Sequence, residues 1–170
     1  MEKTKDFTTG SVLGSLIKFA VPVLAAMFLQ SLYGGVDLLI VGQFATTADV
    51  SGVATGSQLM HTATTVITGL SMGITVYVGQ KIGERKEEEA GHAIGTGILF
   101  FIFLGFLLSA LLVVLTPFLA DLLHAPAEAY KQTCSYITVC GYGTIFICLY
   151  NLLGAIFRGI GDSKTPLITV

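Results

Sequence analysis

Charged side chains are scarce in this sequence: they make up 12% of its 170 residues, about half the share of an ordinary soluble domain. The few that occur leave long gaps. Nothing acidic or basic stands between Asp49 and Lys81, between Glu89 and Asp121, or between Lys131 and Arg158. Asp37 alone interrupts the stretch from Lys18 to Asp49. Each gap exceeds the roughly 20 apolar residues that carry a helix across a ~30 Å hydrocarbon core. A basic stripe is missing too, which excludes the footprint of a nucleic-acid binder. There are 3 Cys and no CxxC pair. Cys134, Cys140 and Cys148 therefore read as small apolar fillers of one helix, not as metal ligands or a disulfide set. No HExxH, P-loop or metal-spaced cluster occurs, so neither a metal site nor a cofactor is expected. The period-2 alternation of a membrane barrel is absent as well.

What is present is apolar sequence in long blocks: 53% of residues are hydrophobic and 20 are Gly. Within the bilayer a backbone must satisfy its own hydrogen bonds, and helices do so segment by segment. The expected fold is an all-α membrane protein of about four transmembrane helices plus the start of a fifth. After a polar leader at 1–14, spans fall at about 15–41, 51–80, 90–119 and 130–157, with a fifth beginning near 165. The first block is too long for a signal peptide and lacks a small-residue cleavage site, so it reads as a retained span. Pro22 near its start is an expected bend, and Pro117 an expected end to the third span. The second span carries Gly56, Gly69, Gly73 and Gly79, which let neighbouring helices approach closely.

Orientation follows from the 9 Lys and Arg residues. All but Lys131 flank the start of the first span (Lys3, Lys5 and Lys18), fall in the loop after the second, or follow the fourth. By the positive-inside rule the N-terminus and the even loops face the cytoplasm, as expected of a multi-pass protein of the cell membrane with the lipid bilayer as its partner.

Asp37 is the residue that calls for an explanation. It sits in Tyr33-Gly-Gly-Val-Asp37-Leu-Leu-Ile-Val41, where a carboxylate costs about 2.5–3.5 kcal/mol on insertion scales unless it faces a polar cavity or holds a cation. Gln30, Tyr33, Gly34 and Asp37 lie at i, i+3, i+4 and i+7, one helical face. Desolvation and a bound cation pull its proton affinity in opposite directions, so protonation and occupancy would be linked. The alternative is an idle helix-end Asp at the outer headgroups. His61, among Thr62, Thr64, Thr65 and Thr68, reads as an interhelical polar contact or as a proton relay. Asn151 either bonds a neighbouring helix or lines the cavity that Asp37 faces.

Two short patterns imitate enzymes. Gly69-Leu-Ser71-Met-Gly73 matches GxSxG, yet a nucleophile elbow needs a strand-turn-helix setting and this one falls inside a span. Gly159-Ile-Gly161-Asp162 matches the GxGD of intramembrane aspartyl proteases, but Asp162 falls beside Arg158 and Lys164, outside the membrane.

In order along the chain stand Pro22, then Asp37 in Val36-Asp-Leu-Leu-Ile-Val-Gly42, then Val78-Gly-Gln-Lys-Ile-Gly83, and last Arg158-Gly159-Ile-Gly161-Asp162-Ser-Lys-Thr165-Pro166. This series resembles the multidrug and toxic compound extrusion (MATE) transporters across nearly the whole chain. The resemblance implies part of the six-helix N-lobe of a twelve-helix transporter, the remaining helices being supplied by the same longer protein. It implies export of small organic, often cationic, compounds in exchange for H⁺ or Na⁺, the coupling ion being the only cofactor-like requirement. Asp37 would be the ion site, with Gln30, Tyr33, His61 and Asn151 as candidate cavity-lining residues and Pro22 as the bend. The other readings are a lipid-linked oligosaccharide flippase of the same superfamily and, from another class, an intramembrane protease, a receptor or a non-transporting scaffold.

Overall fold

The computed structural model describes residues 12–169, the side chains at positions 12, 15, 37, 38, 168 and 169 excepted. The expected leader at 1–14 thus falls almost wholly outside the described residues. Six helices follow one another: α1 (Val12–Phe44), α2 (Thr47–Gly83), α3 (Glu87–Val114), α4 (Thr116–Leu122), α5 (Tyr130–Gly159) and α6 (Lys164–Thr169), with no strand among the described residues. Of these, α1, α2, α3 and α5 are long and apolar enough to cross a membrane.

Helix ends are decided by local chemistry. Thr46 caps α2 through a reciprocal box: its hydroxyl accepts from the Asp49 amide at 3.3 Å while Asp49 Oδ2 accepts from the Thr46 amide at 3.1 Å. That box starts the helix at Thr47, four residues earlier than apolarity alone suggests. Glu87, Glu88 and Glu89 occupy the first turn of α3, where the exposed amides favour negative charge. The third span needs a correction. α3 stops at Val114, and Pro117 lies in the first turn of the separate helix α4. Proline lacks an N–H, and the first helical turn is where none is required, so Pro117 opens a helix instead of closing one. Pro22, by contrast, sits inside the continuous helix α1.

Three chain reversals share one geometry. After α2, α4 and α5, a residue of left-handed backbone (Arg85 at φ 61°, His124 at φ 51°, Gly161 at φ 84°) lets two amides fold back onto the last turn. Lys86 donates to Lys81 O at 2.9 Å, Ala125 to Ala120 O at 3.1 Å and Asp162 to Phe157 O at 2.9 Å. This is the six-to-one closure of a Schellman motif.

The bundle is built around α5, which packs along α2 on one side and α3 on the other. A Cβ placed on Gly52 would meet Gln132 and Thr133, one on Gly56 would meet Tyr136, and one on Gly159 would meet Thr75 and Val78. The Thr75 hydroxyl donates to Ala155 O at 3.0 Å, an offset of 80 residues that recurs along the seam. A constant offset means α2 and α5 run parallel. The contacts of α3 run the other way: Gly105 faces Ile145 and Cys148, while Gly141 faces Leu112 and Val113. Between membrane helices, close packing substitutes for the hydrophobic drive, because lipid is as apolar as Leu. Glycines at the crossings permit that packing, and Ile67, Phe101, Cys148 and Leu152 fill the buried centre. Cys148 is thus a core filler, and all three cysteines are free. The buried hydroxyls of Thr116, Thr133 and Thr144 each donate to a carbonyl four residues back, at 2.7, 2.9 and 3.0 Å. α1 is different. It touches α6 and α2 only lightly, and none of its most apolar window is buried.

Candidate functional site

Asp37 lies on α1, and its side chain is outside the described residues. The rest of its face is open. Tyr33 is 78% exposed, Gln30 is exposed, and nothing comes within 4 Å of a Cβ on Gly34. The structure therefore does not bring Gln30 and Tyr33 against the seam of α2 and α5.

That seam holds its own polar pair, Asn151 of α5 and Thr68 of α2. Thr68 Oγ1 donates to Asn151 Oδ1 at 3.0 Å and to Thr64 O at 2.8 Å, one proton divided between two acceptors. Asn151 Nδ2 in turn donates to Ile147 O at 2.9 Å. Asn151 therefore makes the interhelical bond that was one of its two expected roles. His61 is exposed on α2, and its carbonyl accepts the Thr65 hydroxyl at 2.8 Å. Thr62 likewise donates to Gln58 O at 3.0 Å. The hydroxyl-rich turn around His61 is largely satisfied within its own helix.

The enzyme look-alikes dissolve on inspection. Ser71 is fully buried in mid-α2 and donates to Thr68 O at 2.9 Å, a setting with no strand-turn-helix elbow. Asp162 belongs to the reversal between α5 and α6. Its Oδ1 accepts from the amides of Lys164 at 2.9 Å and Thr165 at 3.1 Å, and its Oδ2 from the Thr165 hydroxyl.

The whole signature Arg158 to Pro166 now has a physical reading. Gly159 is where α5 crosses α2, a Cβ there lying 3.1 Å from both Thr75 O and Val78 Cβ. Gly161 takes the left-handed turn, Asp162 caps α6, and Pro166 falls in the first turns of that helix, where its missing N–H is harmless. Arg158, expected in the loop after the span, is part of the last turn of α5 and half-buried.

The hydrogen bonds from Thr165 hold the Asp162 carboxyl below its usual range. A carboxyl whose folded value is depressed stabilises the fold above its unfolded value of about 3.9 and loses that contribution as pH falls through the folded value. Asp162→Ala should cost about 1 kcal/mol of local stability, as capping deletions do. Amide exchange at Lys164 and Thr165 will report it. The difference from the parent should be flat from neutral pH down to about 5 and should shrink below about 4. A difference that grows on acidification would overturn the capping account.

At the same end of the bundle, a cleft of about 510 Å³ opens between α2 and α3, lined by Ile74, Tyr77, Glu89, His92, Thr96 and Phe100 among others. Its mouth is edged by a charge cluster. Lys81 Nζ lies 2.7 Å from Glu89 and 3.4 Å from Glu84, and sits 5.5 Å from the centre of the Tyr77 ring. Lys86 lies 3.2 Å from Glu84 and 3.6 Å from Glu89. Lys86 and Lys81 together hold the Glu84 carboxyl below its ordinary value. With both carboxylates half exposed, these pairs fix the turn between α2 and α3 more than they stabilise the protein.

Long apolar helices joined by short turns, with small residues at their crossings and buried hydroxyls bonded to backbone carbonyls, define a class: the multi-pass α-helical membrane protein. Residues 22–170 match the MatE family model. The chain belongs to that family. It is 29% identical over 167 residues to Bacillus subtilis "Probable multidrug resistance protein YoeA", covering 98% of this chain and 36% of that protein. It is 30% identical over 158 residues to Thermotoga maritima "Probable multidrug resistance protein NorM", covering 90% of this chain and 33% of that one. A solved structure of a MOP superfamily transporter from Pyrococcus furiosus, described as having a binding pocket of reverse polarity that suggests a different function, has the same fold. It superposes with a TM-score of 0.81 at 21% identity over 91% of this chain and 34% of its own. The chain thus spans about a third of the length of the relatives it matches.

Proposed function

We propose that this chain forms part of the N-terminal lobe of an antiporter in the cell membrane, with its N-terminus in the cytoplasm. The full-length protein would export small organic compounds, cationic ones among them, in exchange for H⁺ or Na⁺. The observation that carries this reading is the family match over residues 22–170, and relatives named for multidrug resistance support it. Asp37 is assigned the coupling ion, because it is the one carboxylate that lies within a spanning helix beyond its first turn. Ion binding there changes the packing of α1, the helix least tied to the bundle. Such a change does work only if the two states differ in ion affinity. Pro22 supplies a point at which α1 yields. Asn151 and Thr68 belong to the seam of α2 and α5, against which α1 would move.

The test uses everted membrane vesicles holding the full-length protein and an organic cation dye. An imposed proton or sodium gradient should drive dye uptake, and dissipating it should stop the uptake. Uptake that follows neither gradient but requires ATP would rule out the antiport reading.

A further inference from the structure

We propose that Arg158 forms an oxoanion site at the charged end of the bundle, one that takes the phosphate of a phospholipid headgroup or of a soluble phosphate compound. The inference needs only the membrane-spanning fold and is independent of the antiport reading. The guanidinium does not extend into solvent. It folds back along α5 and lies across Gly154, where a Cβ would stand 3.2 Å from Nη1, 3.8 Å from Cζ and 3.9 Å from Nη2. An alanine at position 154 would shift it by a few tenths of an ångström, and a branched side chain would take the space it occupies. The side chain is half-buried, and among the described residues it makes no ion pair; its electrostatic neighbour is the Tyr150 phenol.

No carboxylate at this end pairs with Arg158 among the described residues: Glu87 and Glu88 stand in the first turn of α3, and the others are engaged elsewhere. Asp162 is bonded to the amides of Lys164 and Thr165, while Glu84 and Glu89 hold Lys81 and Lys86. A half-buried guanidinium without a counter-charge is unfavourable, and the deficit is removed by an anion that accepts its parallel N–H groups two at a time. A phosphate oxygen pair matches that fork, whereas a halide cannot. Position sharpens the assignment. Arg158 is in the last turn of a spanning helix, the depth at which lipid phosphates lie. Asn151 shares its face of α5 about 10 Å deeper, so an amphiphile held by phosphate at Arg158 would lay its body along that seam.

The full-length protein is purified in maltoside detergent, which carries no phosphate, and its melting temperature is followed at constant ionic strength. One arm titrates inorganic phosphate and the other titrates phosphatidylglycerol. The parent protein should gain several degrees in at least one arm. A response to the lipid alone identifies the headgroup as the source, and a response to inorganic phosphate identifies a soluble anion. Arg158→Gln should weaken the response about tenfold or more, and Arg158→Lys less, because an ammonium binds phosphate without the fork. Gly154→Val keeps the guanidinium but fills its cradle, and it should lose the response too. That variant carries the test if Arg158→Gln does not fold. The site is refuted if the parent responds in neither arm, or if parent and variants respond equally.

Discussion

Asp37→Asn should leave the full-length protein in the membrane and cut ion-driven export at least tenfold, the scale of a coupling free energy of 1–3 kcal/mol. Asn has the size of Asp and keeps a hydrogen-bonding carbonyl, but it neither releases a proton nor neutralises a cation. It is also cheaper to insert, since an ionised carboxylate within an apolar span carries a desolvation cost that a neutral amide escapes. Protein abundance should therefore hold or rise while gradient-driven dye extrusion falls. That divergence separates loss of coupling from loss of folding. Asp37→Glu retains the charge one methylene further out and should keep part of the activity. Sodium binding, or proton release on adding substrate, should vanish in the Asn variant under both gradients. A protein with Asn at position 37 that pumps like its parent would remove the residue from the mechanism.

The four spans were legible because insertion into a bilayer depends on local composition: gaps in charge longer than a membrane is thick leave few alternatives. Their ends were less legible, because ends depend on single side chains. The Thr46–Asp49 box added a turn to α2, and Pro117 was given to the wrong helix because a proline that terminates and one that initiates look alike in a sequence. The core filler Cys148 was foreseen from type and spacing alone. The bond partner of Asn151 was not. Thr68 lies 83 residues away, and nothing local records that α2 and α5 run parallel at a near-constant offset. Arg158 was read as a loop residue because charge usually marks the end of a span. Only the folded chain reveals that Gly154 gives its guanidinium a place on the helix. The open face of α1 defines the other boundary of what these residues specify. Gln30 and Tyr33 point where the described residues offer no partner.

The parallel seam implies a division of mechanical labour. Between α2 and α5 run close glycine crossings, the Thr68–Asn151 bond and the Thr75–Ala155 bond. α3 is packed along the other side of α5. Those three helices have few ways to move apart without opening unsatisfied polar groups to lipid. α1 has none of these ties, so a motion driven at Asp37 would be borne by α1 against a rigid seam.

Filling that seam should be the most damaging change available to the fold. A Cβ at position 52 would stand 2.6 Å from Gln132 Cβ and 3.0 Å from the Thr133 amide nitrogen. Both belong to or adjoin the α5 backbone, so no side-chain rotation relieves the clash, and Gly52→Val must push the helices apart. Overpacking of this kind typically costs 1–3 kcal/mol, and a backbone clash belongs at or above the upper end. The separation would also strain the Gln132 amide, whose Oε1 is already buried without a hydrogen-bond partner. Gly56→Ala should be milder, because its 2.5 Å contact is with Cδ1 of Tyr136, a ring that can swing. Gly73→Ala meets nothing within 4 Å and should be neutral, or slightly stabilising through helix propensity. Unfolding of the three purified variants by graded SDS, followed by tyrosine fluorescence, should rank them Gly52→Val, Gly56→Ala, Gly73→Ala in decreasing damage. If the valine at 52 unfolds together with the alanine at 73, α2 and α5 are not in contact there, and the parallel seam is wrong.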